Sequence, residues 1–248
     1  MRPPMTPTEV PELDPEIRRL LMAASVPAVV SILWRRGYRN THIVGPTPIN
    51  PAAVRFCGPA RTVLTLPMRE DILAEQTEGR RPNLQARSVD EARAGDALVV
   101  AMGGETRTAF MGDIMTTYLR VKGVAGVVLD GGVSDSAAIA GIDLPVFAMG
   151  NAATPLGSHR MVTALDVPVA CAGVTVFPGD VLMGDGNGVV AIPAALAAEV
   201  AEAAAEREAL EAFVIERVRQ GAPLKGTYPP DEATLKAFEA HRAATAGT

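Results

Sequence analysis

Two aspartates carry the chemistry that this sequence displays most plainly. Asp113 follows Gly112 and opens GDIMTTYLRVKG, a segment with helical spacing. Asp135 comes after the apolar run VAGVVLDGG, with Ser134 immediately before it. Such a pair can hold a hard divalent cation through its carboxylate oxygens. The backbone N–H groups of Gly112, Asp113, Ile114 and Met115, at a helix start, can receive a ligand carboxylate. Aspartate is also a favoured N-cap, so the local pattern fits two helix caps as well as a metal site. Asp130, inside LDGG, reads as a turn residue.

For these groups to meet, the strands that precede them must lie side by side. DALVVAMGG (96–104), VAGVVLDGG (124–132) and LPVFAMG (144–150) are short apolar runs ended by glycine. They alternate with GDIMTTYLRVKG and SDSAAIAGI, which read as helices, so βαβ units and a parallel sheet are expected. Ligands gather at the carboxyl ends of such strands. Gly103-Gly104, Gly112-Asp113 and Asp135 should therefore converge on one crevice.

Upstream, Asp14 and Pro15 start a helix that Pro27 should divide in two, with Gly37 ending the second. GPARTVLTLP (58–67) reads as a strand, and residues 68–96 as helix, loop and helix. After Asn151 the texture shifts to short strands, and VFPGDVLMGDGNGVVAIP reads as a structural hairpin. Residues 194–219 form a long Ala/Glu/Arg helix. The expected organisation is an arm over 1–13, a single domain over 14–219, and a tail over 220–248. That tail ends in a short helix expected to pack on a neighbouring subunit.

Composition narrows the function classes. The 248 residues are 48% apolar, 21% charged and only 4% aromatic, which predicts a soluble domain with a core of small aliphatic side chains. A net charge of −5 and no basic stripe argue against nucleic acid as a partner. No run approaches the roughly 20 apolar residues of a membrane helix, and MRPPMTPTEVPEL lacks the apolar core of a signal peptide. A cytoplasmic location is expected. Cys57 and Cys171 read as buried, reduced thiols. His42, His159 and His241 are too scattered for a zinc site, and neither a phosphate-binding Gly-Lys-Ser/Thr loop nor a Gly-x-Ser-x-Gly elbow occurs.

Several ordered motifs resemble the RraA-like family: GPARTV, Gly112-Asp113, KGVAGVVLDGGVSDS, PVFAMG and VFPGDVLMGDGNGVVAIP. That family includes regulators of ribonuclease activity and divalent-metal aldolases acting on 4-hydroxy-4-methyl-2-oxoglutarate. The resemblance implies an α/β fold, a layered α-β-β-α sandwich similar to the swivelling phosphohistidine domain, assembled as a homotrimer or homohexamer. It also implies Mg2+ or Mn2+ as cofactor, held directly by Asp135 and through water by Asp113. Backbone amides after Gly112 would receive the carboxylate of a 2-oxo acid.

One departure stands out: the aldolases of this family have Arg-Asp where this chain has Ser134-Asp135. Arg107 and Arg160 are candidate replacements, with Arg107 placed among the substrate-binding residues. Glu208 or Glu211 could match an acid that the family draws from a neighbouring subunit. The resemblance thus implies a metal-dependent lyase for a hydroxylated 2-oxo acid, with decarboxylation of oxaloacetate as a side activity. The alternatives are a non-catalytic regulator of a ribonuclease or helicase complex, and a metal-dependent dehydratase or hydrolase of sugar-derived keto acids.

Overall fold

A computed structural model describes residues 9–245. The first eight residues of the expected arm and the last three of the tail lie outside the described residues. Helix α1 (Pro15–Ala23) starts where the Asp14 Oδ1 accepts from the N–H of Glu16 at 2.7 Å and of Ile17 at 3.3 Å. The chain then breaks at Ala24, which is extended, and Ser25 caps α2 (Val26–Arg35). Pro27 is therefore not the break. It sits in the first turn of α2, where a missing N–H removes no helix bond. Glu208 accepts from the Ser25 N–H and hydroxyl, and Asp185 from the Val26 N–H, so two carboxylates meet the positive end of this helix.

Strands β1 (His42–Ile43), β2 (Thr47–Pro48) and the long β3 (Phe56–Pro67) follow, then α3 (Glu70–Thr77), α4 (Leu84–Asp90) and β4 (Ala97–Ala101). The middle of the chain gives α5 (Asp113–Val121), β5 (Gly126–Leu129), β6 (Gly132–Val133), α6 (Ser136–Ile139), β7 (Val146–Ala148) and β8 (Gly150–Asn151). Then come β9 (Arg160–Leu165), β10 (Val169–Cys171), β11 (Val174–Val176), β12 (Val181–Asp185) and β13 (Gly188–Ile192). Helices α7 (Ala197–Arg219), α8 (Leu224–Thr227) and α9 (Glu232–Thr245) end the chain.

The main sheet runs β1-β13-β12-β3-β4-β5-β7-β2, with β9 also paired to β3. Strands β3, β4, β5 and β7 are parallel, as the helix–strand alternation requires. The remaining partners are antiparallel, so the sheet is mixed rather than parallel throughout. The cause is the tight turn at Asp185–Gly188, which folds β12 and β13 into a hairpin that adds to the edge of β3.

Alternation along these strands builds three cores. Leu98 and Val100 of β4 face α4 and α5, packing with Leu119 and Val89. Ala97, Val99 and Ala101 face the other way and meet Leu182 and Val189 of the hairpin. Val181, Met183 and Val190 turn outward onto α1, α2 and α7, against Leu21, Leu33 and Val200. This is a mixed α/β fold with a central sheet and a long carboxyl-terminal helix. The tail helix α9 packs on α7 of its own chain, with Phe213 and Phe238 rings 5.5 Å apart. No single helix among the described residues is long and apolar enough to cross a membrane.

Phe56 is wedged at the centre, 5.8 Å from the Phe147 ring. A Cβ at Gly126 would lie 2.6 Å from Phe56, and one at Gly184 only 2.2 Å from it. Gly184 keeps an ordinary backbone conformation, so only space demands glycine there. Gly184→Ala should therefore cost roughly 1–3 kcal/mol of stability through overpacking. Urea unfolding of the single variant and of Gly184→Ala with Phe56→Leu checks this, and the double variant should recover part of the loss. An unchanged single variant would mean that the ring is free to move aside.

Candidate functional site

The chain leaves β4 through Met102 and a Gly103-Gly104 turn in which both glycines take positive φ, 63° and 77°. It then returns as an extended loop alongside β6. Phe110 N–H donates to the Gly132 carbonyl at 2.9 Å, Ser134 N–H to the Met111 carbonyl at 3.0 Å, and Ala109 N–H to the Thr154 carbonyl at 2.8 Å. These bonds set Gly112 against Ser134 and Asp135. A Cβ at Gly112 would stand 2.3 Å from Asp135 Oδ2 and 2.6 Å from the Ser134 hydroxyl. Glycine alone leaves both side chains where they stand.

Asp135 has a left-handed backbone, φ 53°, which costs a non-glycine residue energy and draws attention to a site when observed. It stands at the N-cap of α6, yet its carboxylate makes no capping bond. Its Oδ2 instead accepts from the Ser134 hydroxyl at 2.8 Å. Asp113 does not cap α5 either, since Gly112 occupies that position. Its Oδ1 accepts only the neighbouring Ile114 N–H, at 2.8 Å. Among the described residues neither aspartate has an ion-pair partner. The pattern that fitted either caps or a metal site therefore resolves away from capping.

Asp113, Ser134 and Asp135 line one crevice of about 460 Å³, together with Gly112, Ile114, Met115, Gln85 and Thr154. The N–H groups of Gly112, Asp113 and Met115 have no acceptor among the described residues, whereas Ile114 N–H is occupied by Asp113. A hard divalent cation fits this donor set of oxygen ligands. Among the described residues no three of His, Cys, Asp and Glu gather into a cluster. Water and ligand oxygens would have to fill the remaining positions, as magnesium commonly requires.

The other expected residues stand elsewhere. Arg107 does not join the crevice: its guanidinium pairs with Glu105 at 2.6 Å and holds that carboxyl down to about 2. Arg160 donates to the Thr65 hydroxyl and carbonyl and lines an adjoining cavity. Gly103 likewise faces Arg160, and neither glycine of its turn lines the crevice. Glu208 is committed to Ser25, and Glu211 to Arg207 at 2.8 Å. Both cysteines are buried, and burial raises the Cys57 thiol to about 12.

Asp130 is the residue that the sequence reading undervalued. It is 3% exposed, and its Oδ1 accepts the N–H groups of Met102 and Gly103 while Oδ2 accepts that of Ala172. Burial pushes its carboxyl above the ordinary range, against the pull of those amides. It ties the ends of β4 and β5 to the β10–β11 hairpin. Only its place directly after an apolar strand hinted at burial. LDGG says nothing of the third partner.

A protein-family model described as RraA-like, Aldolase/RraA, matches residues 27–191. A Halalkalibacterium halodurans protein provisionally named 4-hydroxy-4-methyl-2-oxoglutarate aldolase is 32% identical over 120 residues, covering 48% of this chain and 56% of that protein. An Ectopseudomonas mendocina protein with the same provisional name is 38% identical over 115 residues, 46% of this chain and 70% of that protein. The chain thus spans little more than half the length of the first of these. A Streptomyces coelicolor crystal structure, described as an unusual member of the RNase ES inhibitor RraA protein family, superposes with a TM-score of 0.74 at 33% identity. That match covers 84% of this chain and 98% of the other.

The contact at Gly112 is open to a direct test. Its backbone is extended (φ −121°, ψ −162°), so alanine meets no backbone strain and the whole clash falls on the side chains of Ser134 and Asp135. Gly112→Ala should stay within about 1 kcal/mol of wild-type stability yet bind magnesium or manganese about tenfold more weakly. Calorimetric titration showing equal affinity would place the cation away from Asp135.

Proposed function

Because the chain belongs to the RraA-like family, with its model matched over 27–191, we propose that it is a divalent-metal-dependent carbon–carbon lyase for a hydroxylated 2-oxo acid. The observation that carries this reading is the Asp135 carboxylate. It is held in a left-handed residue against Gly112, capping nothing and paired with no cation among the described residues. Relatives provisionally named as aldolases support the reaction class. Magnesium or manganese at this position would supply Lewis acidity toward the 2-oxo acid.

The chain's own groups divide the remaining work. Unpaired N–H groups of Gly112, Asp113 and Met115 receive the ligand carboxylate. Ser134 donates to Asp135 and fixes the direction of its carboxylate. Asp113 orients a water that accepts the proton of the 4-hydroxyl group. As that O–H bond breaks, C4 becomes a carbonyl, the C3–C4 bond breaks, and its electron pair passes to C3 as the pyruvate enolate. A proton from water at C3 then completes pyruvate. Protein and products balance with no oxidant.

Likeness to an inhibitor-family structure at 33% identity supports a second reading, a non-catalytic regulator acting through its surface. The acidic pair separates the two, since surface binding has no use for it. Asp135→Asn should weaken magnesium binding by more than the roughly 10–100-fold that loss of a supporting partner costs. Asp113→Asn should keep most of the metal affinity and lose about 10²–10⁴-fold in turnover. Calorimetry with magnesium and manganese, followed by pyruvate release from a panel of 4-hydroxy-2-oxo acids, provides the check. Equal metal affinity in the Asp135 variant sinks the site, and no pyruvate from any panel member favours the regulator.

A further inference from the structure

Among the described residues, no lysine, arginine or histidine lines the crevice beside Asp113 and Asp135. Arg107 is paired with Glu105, and Arg160 is turned onto Thr65 in the adjoining cavity. The charge balance follows directly. Two carboxylates and one divalent cation sum to zero, and the free N–H groups of Gly112, Asp113 and Met115 serve one ligand carboxylate. A second carboxylate on the ligand would meet no cation in the crevice itself, and Arg160 in the adjoining cavity is already committed to Thr65. An unpaired charge drawn out of water is costly, whereas a hydroxyl needs only one neutral partner.

Gln85 supplies such a partner. From α4 its amide Nε2 donates to the carbonyl oxygen of Phe110, in the loop that leads to Gly112. A carbonyl can only accept, so this bond fixes which end of the amide faces the loop. The Oε1 atom is left without a donor among the described residues. The hydroxyl of Thr154 stands in the same lining. Gln85 also borders the adjoining cavity, so it stands between the two.

We propose that this crevice selects monocarboxylic 2-oxo acids with a neutral, hydroxyl-bearing tail, and that Gln85 reads the tail hydroxyl. The inference rests on the 2-oxo acid reading above and adds a substrate class to it. Three five-carbon probes differ only at C5: 5-hydroxy-2-oxopentanoate, 2-oxopentanoate and 2-oxoglutarate. None has a 4-hydroxyl, so none can be cleaved, and calorimetry with magnesium reads binding alone.

The wild-type protein should bind 5-hydroxy-2-oxopentanoate tightest. It should bind 2-oxoglutarate about tenfold or more weaker than 2-oxopentanoate. In Gln85→Leu the ratio between the hydroxylated and plain probes should fall to about one, a change that general loosening of the crevice would not produce. If 2-oxoglutarate binds as tightly as 2-oxopentanoate or tighter, the inference is overturned while the lyase reading stands. A hydroxyl preference that survives in Gln85→Leu removes Gln85 from the role. Binding of none of the three by the folded, magnesium-loaded protein would sink the 2-oxo acid reading, and this inference with it.

Discussion

The crevice depends on how closely residue 112 approaches Asp135. With a Cβ only 2.3 Å from the carboxylate, any residue but glycine would push the Asp135 and Ser134 side chains out of their places. The contact joins the amino end of α5 to the turn after β5, and through them two neighbouring parallel strands. Backbone bonds from residues 109–111 and 134 then hold the loops in register. The free N–H groups of a helix start and the carboxylate of Asp135 consequently open on the same space. Neither element would make the site alone.

Asp130 supports this arrangement from beneath. A buried carboxylate is costly unless its oxygens are filled, and three amides from two directions fill them here. Its backbone carbonyl also accepts the Gly104 N–H at 2.9 Å. The Gly103-Gly104 turn and the β10–β11 hairpin are thereby fixed to the end of β5. The turn sends the chain away from the sheet and back, which brings Gly112 to Ser134. The structural load falls on this third aspartate, five residues before Asp135, while the two aspartates of the crevice have no ion-pair partner among the described residues.

The sequence made these layers legible unevenly. Strand runs such as ALVVA and GVVL and the cap at Asp14 were readable because each rests on local chemistry, whereas the local pattern around Asp113 and Asp135 fitted caps as well as a metal site. The hairpin at Asp185–Gly188 was readable too, but its pairing to β3 was not. That pairing made the sheet mixed, and it depends on where a distant hairpin docks. The roles of Asp130, Glu208 and Gln85 were hidden for the same reason. Each is defined by a partner 25 or more residues away, Gln85 by Phe110 and Glu208 by Ser25. Arg107 failed as a crevice residue because Glu105, two positions before it, offers a nearer partner.

The pair of carboxylates also bears on the choice between catalyst and regulator. Two acids facing one space repel each other, and the described residues supply them only a hydroxyl and a neighbouring amide. Asp135 adds the strain of a left-handed residue. In a protein that works through its outer surface, this arrangement costs stability and returns none. A divalent cation reverses the balance, because binding to the folded state alone stabilises it by mass action. Its positive charge would satisfy both acids, and Ser134 would then act as a donor that keeps one Asp135 oxygen in place. Elsewhere in the chain, two partly buried carboxylates have guanidinium partners: Asp166 with Arg61 and Glu105 with Arg107. Against that background, the unpaired acids of the crevice are what a resident cation would explain.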